Sequence, residues 1–293
     1  MSSSIATEKA TALSEGQRAA LIKLLSDEDP AVYHLVREKI LSYGQTAGRW
    51  MQPHVLSSDP VLRRRAQEII DHLARQSADN RFLAFCLSQR GEDFDLEQGA
   101  WLLAQTRYPD INVAAYQALF DSYAGDLREQ IDFGDKPEQI LASINQYLFA
   151  ELGFYGNEQN YYELENSYLN RVVDRRTGNP ITLCLIYLFV SRRLHLPVTG
   201  VGMPGHFLCL CRFQCSTDEF YIDAFNRGKL LTKNDCLKYL VQTNYGFQEG
   251  LLSPATARRI LLRMCSNLHQ IYLHLKMPDE TARLQRYIVA LAR

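Results

Sequence analysis

The sequence carries almost no excess charge: 32 lysines and arginines stand against 33 aspartates and glutamates, a formal net charge of −1. That balance removes any global electrostatic reason to bind nucleic acid or an anionic membrane. The basic clusters Arg63-Arg64-Arg65 and Arg175-Arg176 lie in helical contexts and read as solvated helix faces or ends. Long apolar runs are missing too. The longest, residues 181–190, is about half of what a membrane span needs. The opening Met1-Ser2-Ser3-Ser4-Ile5-Ala6 has no basic region followed by an apolar core, which argues against a secretory signal. The seven cysteines are odd in number and scattered, unlike the disulfide framework of a small secreted domain. A reduced, cytoplasmic compartment is expected. No phosphate-binding glycine loop, zinc-protease motif or dinucleotide fingerprint is present. Neither a cofactor nor a resident metal is expected.

What is present in the first third is helix with well-marked joints. Ser14 and Gln17 have capping-box spacing ahead of an apolar run. Asp29-Pro30 supplies an N-cap carboxylate and a first-turn proline. Val32, Leu35, Val36 and Ile40 then give one apolar face, and Gly44 suits the position just past the helix end. Thirty residues on, Asp59-Pro60 repeats the cap, with Leu62, Ala66 and Ile70 matching Val32, Val36 and Ile40. The repeat suggests a HEAT-like helical array, and two unrelated Asp-Pro helices are the alternative. Further helices are expected over 96–105, from Val113 after an Asn112 cap, and from Lys136-Pro137 onward. The segment 153–162, with Phe154, Tyr155, Tyr161 and Tyr162, reads as an ordered loop whose rings pack into the core, with a ligand cage as the alternative.

The texture changes after Gly178. Residues 180–194 form a helix apolar nearly all round, hence buried, and Pro197 ends it. Residues 198–213 and 220–222 are strand-like, with a hairpin loop over 214–219. Ser253-Pro254 should cap a helix running to about Lys276, and Pro278 should open a last amphipathic helix. Cys209, Cys211 and Cys215 lack the spacing of zinc ligand pairs, with no second pair nearby, and read as buried strand cysteines.

Chemistry concentrates at two residues. His206 follows Pro204-Gly205 at the head of one strand, and Asp223 lies near the end of the next. An antiparallel pairing can set that carboxylate beside the imidazole, fixing its tautomer and stabilising its protonated form.

Three segments carry a resemblance: Arg175-Arg176-Thr177-Gly178-Asn179-Pro180-Ile181-Thr182-Leu183, Pro204-Gly205-His206-Phe207-Leu208 and Ile222-Asp223-Ala224-Phe225-Asn226-Arg227-Gly228. Their order resembles the transglutaminase-like superfamily, whose core uses a Cys-His-Asp triad. More narrowly it resembles the uncharacterised bacterial SirB-one-type family, with a helical N-terminal region and a tetratricopeptide-like C-terminal hairpin. Residues 259–264 and 267–272 look similar to that tail.

The resemblance implies a mostly helical α+β protein: a helical region over 1–133, a transglutaminase-like (papain-like) core with a small antiparallel sheet over 134–250, and a helical hairpin over 251–293. It also makes His206 and Asp223 the histidine and aspartate of a triad. The cysteine position falls near 180–182, where no cysteine stands. Thr182 is either a hydroxyl nucleophile or a structural residue that helps cap its own helix or hydrogen-bonds the His206–Asp223 pair. Cys184, two residues on, is rotated by about 200° from Thr182 around a helix, which favours packing over catalysis. The expectation is a non-catalytic module that binds a protein or peptide. The alternative is an acyl-transfer or thiol-hydrolase enzyme using His206 and Asp223 with Thr182 or, less suitably, Cys184.

Overall fold

A computed structural model describes residues 13–88, 95–213, 218–243 and 249–293. The chain divides into two compact units, Met1–Asp79 and Asn80–Arg293. It is a mostly helical α+β protein.

In the first unit α1 (Glu15–Leu24) starts at the Ser14–Gln17 capping box, and α2 (Pro30–Leu41) starts where Asp29 accepts from the Ala31 amide. A short α3 (Gln45–Met51) follows, then the beginning of α4 (Pro60–Ser88), where Asp59 accepts from the Val61 amide at 2.8 Å. Val36, Ile40, Ala66, Ile69 and Leu73 are among the side chains of one small core. Three local expectations change. Leu35 is 75% exposed, outside the buried stripe. Gly44, at φ +55, caps the start of α3 rather than ending α2. Arg65 is not a solvated face residue: its Nη1 donates to the Leu25 and Asp27 carbonyls at 2.7 Å, and its guanidinium lies over the Tyr33 ring. Those carbonyls lie just after α1, where no helical amide remains to bond them.

In the second unit α5 (Leu96–Gln105), α6 (Val113–Gln130) and α7 (Pro137–Asn145) begin at Asp95, Asn112 and Lys136. Next come β1 (Tyr155–Gly156), α8 (Leu169–Arg175), β2 (Thr177–Gly178) and α9 (Pro180–Arg193). A parallel pairing joins β1 to β2. The strands β3 (Val198–Met203), β4 (His206–Cys211), β5 (Phe220–Asp223) and β6 (Lys229–Leu231) form an antiparallel meander in sequence order. The stretch expected as continuous strand texture breaks at Pro204-Gly205, where Gly205 has φ +69 and turns the backbone so that Met203 faces His206. Of the expected loop over 214–219, residues 214–217 lie outside the described residues.

Three helices complete the unit: α10 (Lys233–Gln242), α11 (Ala257–His274) and α12 (Pro278–Leu291). Thr256, not Ser253, caps α11, because the preceding segment is drawn onto the sheet: Pro254 bridges Val201 and the Ala255 amide donates to Gly200 O at 2.7 Å. Arg258 then ties the two last helices together by donating to the Leu291 and Ala290 carbonyls.

The centre of this unit is α9, in which every residue from Pro180 to Ser191 is buried. It packs on β3 and β4 and on α6 and α8. Strand alternation sorts β4 accordingly. Phe207, Cys209 and Cys211 join the core around α9, while Leu208 and Leu210 join Tyr221, Cys236 and Leu240 on the other face. The larger core takes side chains from Phe82 through Leu291, so it includes residues on both sides of positions 133 and 250. The turn after β5 is locked by Gly228, at φ +73, whose carbonyl accepts from Asn145 Nδ2 at 2.7 Å. A Cβ there would lie 2.5 Å from the Asn145 side chain and 2.6 Å from Phe149. Gly228→Ala is therefore expected to cost about 2–4 kcal/mol from left-handed strain and overpacking together, read as a lowered urea midpoint with an unchanged m-value.

Candidate functional site

His206 and Asp223 are brought together. His206 follows the parity of Leu208 and Leu210 on β4, and Asp223 follows that of Tyr221 on β5, so both project from the sheet face opposite α9. Asp223 lies one step past the Cys209–Ile222 pair, which makes it a diagonal neighbour of His206. The imidazole Nε2 donates to Asp223 Oδ2 at 2.9 Å. Asn226, in the turn after β5, donates to the same carboxylate through its backbone amide at 3.2 Å and its side-chain amide at 2.8 Å. Burial alone would raise the Asp223 pKa, but the hydrogen bond and charge of His206 and the bonds from Asn226 outweigh it. The carboxyl is held below its ordinary range. With Nε2 committed to Asp223, Nδ1 is the ring nitrogen left for a ligand.

The two nucleophile candidates are elsewhere. The Thr182 hydroxyl is fully buried and donates to Asn166 O at 2.7 Å, with Asn179 O and Oδ1 also in range. Its role is to bind the start of α9 to the loop before α8. The N-cap itself is Asn179, whose Oδ1 accepts from the Thr182 amide. The Cys184 thiol is also fully buried and points at Phe207 O, 3.5 Å away under β4. Neither residue hydrogen-bonds His206.

His206 opens instead onto a cleft of about 1480 Å³. Pro180 and Ile181 bring the start of α9 to it, and Phe225, Tyr239, Tyr161 and Tyr162 supply rings. The Phe225 and Tyr239 rings flank the imidazole at 6.2 and 6.3 Å between centroids. The aromatic loop thus splits. Phe154 is core and Tyr155 is partly exposed, but Tyr161 and Tyr162 line the cleft rather than packing into the core. The loop is held by polar bonds: Asn166 Nδ2 donates to the Asn160 and Tyr161 carbonyls, and Asn157 Nδ2 donates to Asn166 Oδ1. Arg175 pairs with Glu163 and Glu165, and Arg176, at φ +59, lies over the Phe154 ring. Neither arginine is the free surface charge that the sequence suggests.

A cleft-lining cysteine does exist, Cys236 on α10. Burial, then the nearby Asp235 and Asp223 charges, push its thiol up to about 12, so little thiolate forms near neutral pH. Burial also pushes Cys211 up to about 12 and Cys209 well above the ordinary thiol range. Cys209 donates to Cys184 O, while Cys215 lies outside the described residues. Among the described residues no group of three or more His, Cys, Asp or Glu side chains could hold a metal ion. No described helix is long and apolar enough to cross a membrane.

Sequence reasoning missed Asn166, Tyr239, Cys236 and the polar side of α11. Arg263, Asn267, Gln270 and His274 recur at helical spacing and line the cleft. The spacing is visible. In a sequence, however, a polar stripe opposite an apolar one reads as a solvent face.

A family model described as the Transglutaminase-like superfamily matches residues 114–266. The "UPF0162 protein" of Xylella fastidiosa (strain 9a5c) is 37% identical over 207 residues, 68% of this chain and 73% of that protein. The human "F-box only protein 21" is 31% identical over 233 residues, 69% of this chain but 36% of its own length. The mouse protein of that name is 39% identical over 136 residues, 44% of this chain and 21% of its own. No solved structure gives a significant match.

The depressed Asp223 carboxyl sets a pH signature. Its stabilisation is complete above the ordinary carboxylate pKa and is lost as pH falls through the lower folded value. Asp223→Asn should lose about 1–3 kcal/mol at pH 7, and the gap from the natural protein should begin to narrow below roughly pH 4. Urea unfolding of both proteins from pH 7 to pH 3 reads this directly. A constant gap across that range would contradict it.

Proposed function

The chain belongs to the transglutaminase-like superfamily, and on that footing we propose that it is a peptide-binding module that forms no acyl-enzyme. The observation carrying this reading is the placement of Thr182 and Cys184, whose hydroxyl and thiol are spent on the Asn166 and Phe207 carbonyls. Covalent catalysis of this class needs a nucleophile within hydrogen-bond reach of the base. Here the start of α9 offers the cleft a proline and an isoleucine.

Binding is supported by the cleft itself. At about 1480 Å³ it is larger than the usual small-molecule pocket of roughly 300–1,000 Å³. Its aromatic rings and the amide side chains of α11 suit side chains and backbone of a polypeptide. The C-terminal hairpin, read as tetratricopeptide-like, and the narrower likeness to the SirB-one-type family fit an interaction role in the cytoplasm. One observation favours a second reading, an acyl-transfer enzyme. The His206–Asp223 pair is intact and could activate a hydroxyl or a thiol if α9 changed register to present Thr182 or Cys184.

Intact-mass spectrometry after exposure to p-nitrophenyl butyrate separates the two. The binding module should show no acyl adduct that depends on His206. A single adduct on Thr182 or Cys184, abolished in His206→Ala, would establish the enzyme instead.

A further inference from the structure

Arg263 is a cation of the cleft with no ion-pair partner among the described residues. It reaches from α11 to the β3–β4 turn, where Nη2 donates to Met203 O and His206 O at 2.7 Å each. Its guanidinium lies 5.6 Å from the Phe207 ring centroid, and Gly202 leaves room for Nη1, 3.1 Å from where a Cβ would stand. These contacts hold the side chain in place without neutralising it. Among the described residues no carboxylate comes within ion-pair distance of Arg263, and neither Nη1 nor Nε has a hydrogen-bond acceptor.

The carboxylates that line the cleft are already occupied. Asp223 accepts from His206 and Asn226, and Asp235 accepts from the Thr232 amide and hydroxyl. Burial works against the Arg263 charge, and its pKa is lowered. One turn along α11, the Asn267 amide also lines the cleft and has no hydrogen-bond partner among the described residues. A partly buried cation with spare donors, beside a free amide, is a place where a bound anion would be favoured over the solvent it displaces.

We propose that Arg263 and Asn267 form a carboxylate subsite of the cleft, beside His206, which takes the carboxylate of a bound peptide. This rests on the peptide-binding reading above. The donor set favours a carboxylate over a phosphate, because Nη2 is spent on two carbonyls and one cation with one amide remains. Two sources share this chemistry: the free C-terminus of a peptide and an internal Asp or Glu side chain. Arg263 would then serve twice, with Nη2 bracing the turn that carries His206 and the rest of the guanidinium orienting the ligand against it.

The test uses three pools of acetylated pentapeptides of matched length: uncharged side chains with a free C-terminus, the same side chains with an amidated C-terminus, and amidated with one internal glutamate. Binding is read from methyl NMR shifts of Ile181, Met203, Leu231 and Ile271, all of which line the cleft. At least one carboxylate-bearing pool should saturate these shifts at about tenfold lower concentration than the neutral amidated pool. Whichever pool wins identifies the source. The advantage should vanish in Arg263→Gln, persist in part in Arg263→Lys and weaken in Asn267→Ala. The Asn267 variant keeps the test valid if loss of the Arg263 brace unfolds the β3–β4 turn. Equal binding of all three pools to the natural protein would overturn the carboxylate subsite and leave the peptide cleft standing. No shift with any pool would overturn both.

Discussion

A helix with no polar face has to be enclosed on every side, and α9 imposes that condition on the second unit. Residues from Pro180 to Ser191 are all buried, so β3 and β4 must cover one flank and α6 and α8 others. Apolar burial of about 25 cal/mol per Å² over a helix of this size is a large share of the stability available to a domain. The enclosure also decides where the Thr182 and Cys184 side chains go. Side chains that point into the packed interior, as Thr182 and Cys184 do, meet carbonyls that accept their hydrogen bonds. Only the end of the helix, at Pro180 and Ile181, reaches the cleft.

The sheet places the second half of the site by its own alternation. Because Phe207, Cys209 and Ile222 turn toward α9, His206 and Asp223 must turn to the opposite face. Two left-handed glycines make the geometry close. Gly205 reverses the backbone before His206, and Gly228 ends the turn in which Asn226 bonds Asp223. The retained pair is therefore well supported whatever it acts on: its carboxylate has three donors, and the turn bearing its histidine is braced by Arg263.

Much of this is legible in the sequence for local reasons. Ser14, Asp29, Asp59 and Asn112 cap helices as short-range hydrogen bonding dictates, and Asp95 does the same for α5. The unbroken apolar run gives α9, and the His206–Asp223 neighbourhood follows from one antiparallel turn. What fails to show is long-range. Ser253-Pro254 has the signature of a cap, yet a bridge to Val201 pulls it onto the sheet. Tyr161 and Tyr162 have core composition, but Asn157 and Asn166 hold their loop at the rim of the cleft. Arg65 reads as surface charge, and the brace made by Arg263 does not show, because the carbonyls they bond lie about 40 and 57–60 positions away.

The central claim is that the cleft holds a peptide against His206 without a covalent step. Nitrogen-resolved NMR of the His206 ring tests it most directly, recorded before and after adding a binding peptide, with the intact mass taken on the same sample. The account predicts a protonated Nε2 bonded to Asp223, an Nδ1 signal that moves on saturation, and an unchanged protein mass. An Nδ1 signal indifferent to every peptide, or a protein mass raised by a bound acyl group, would contradict it.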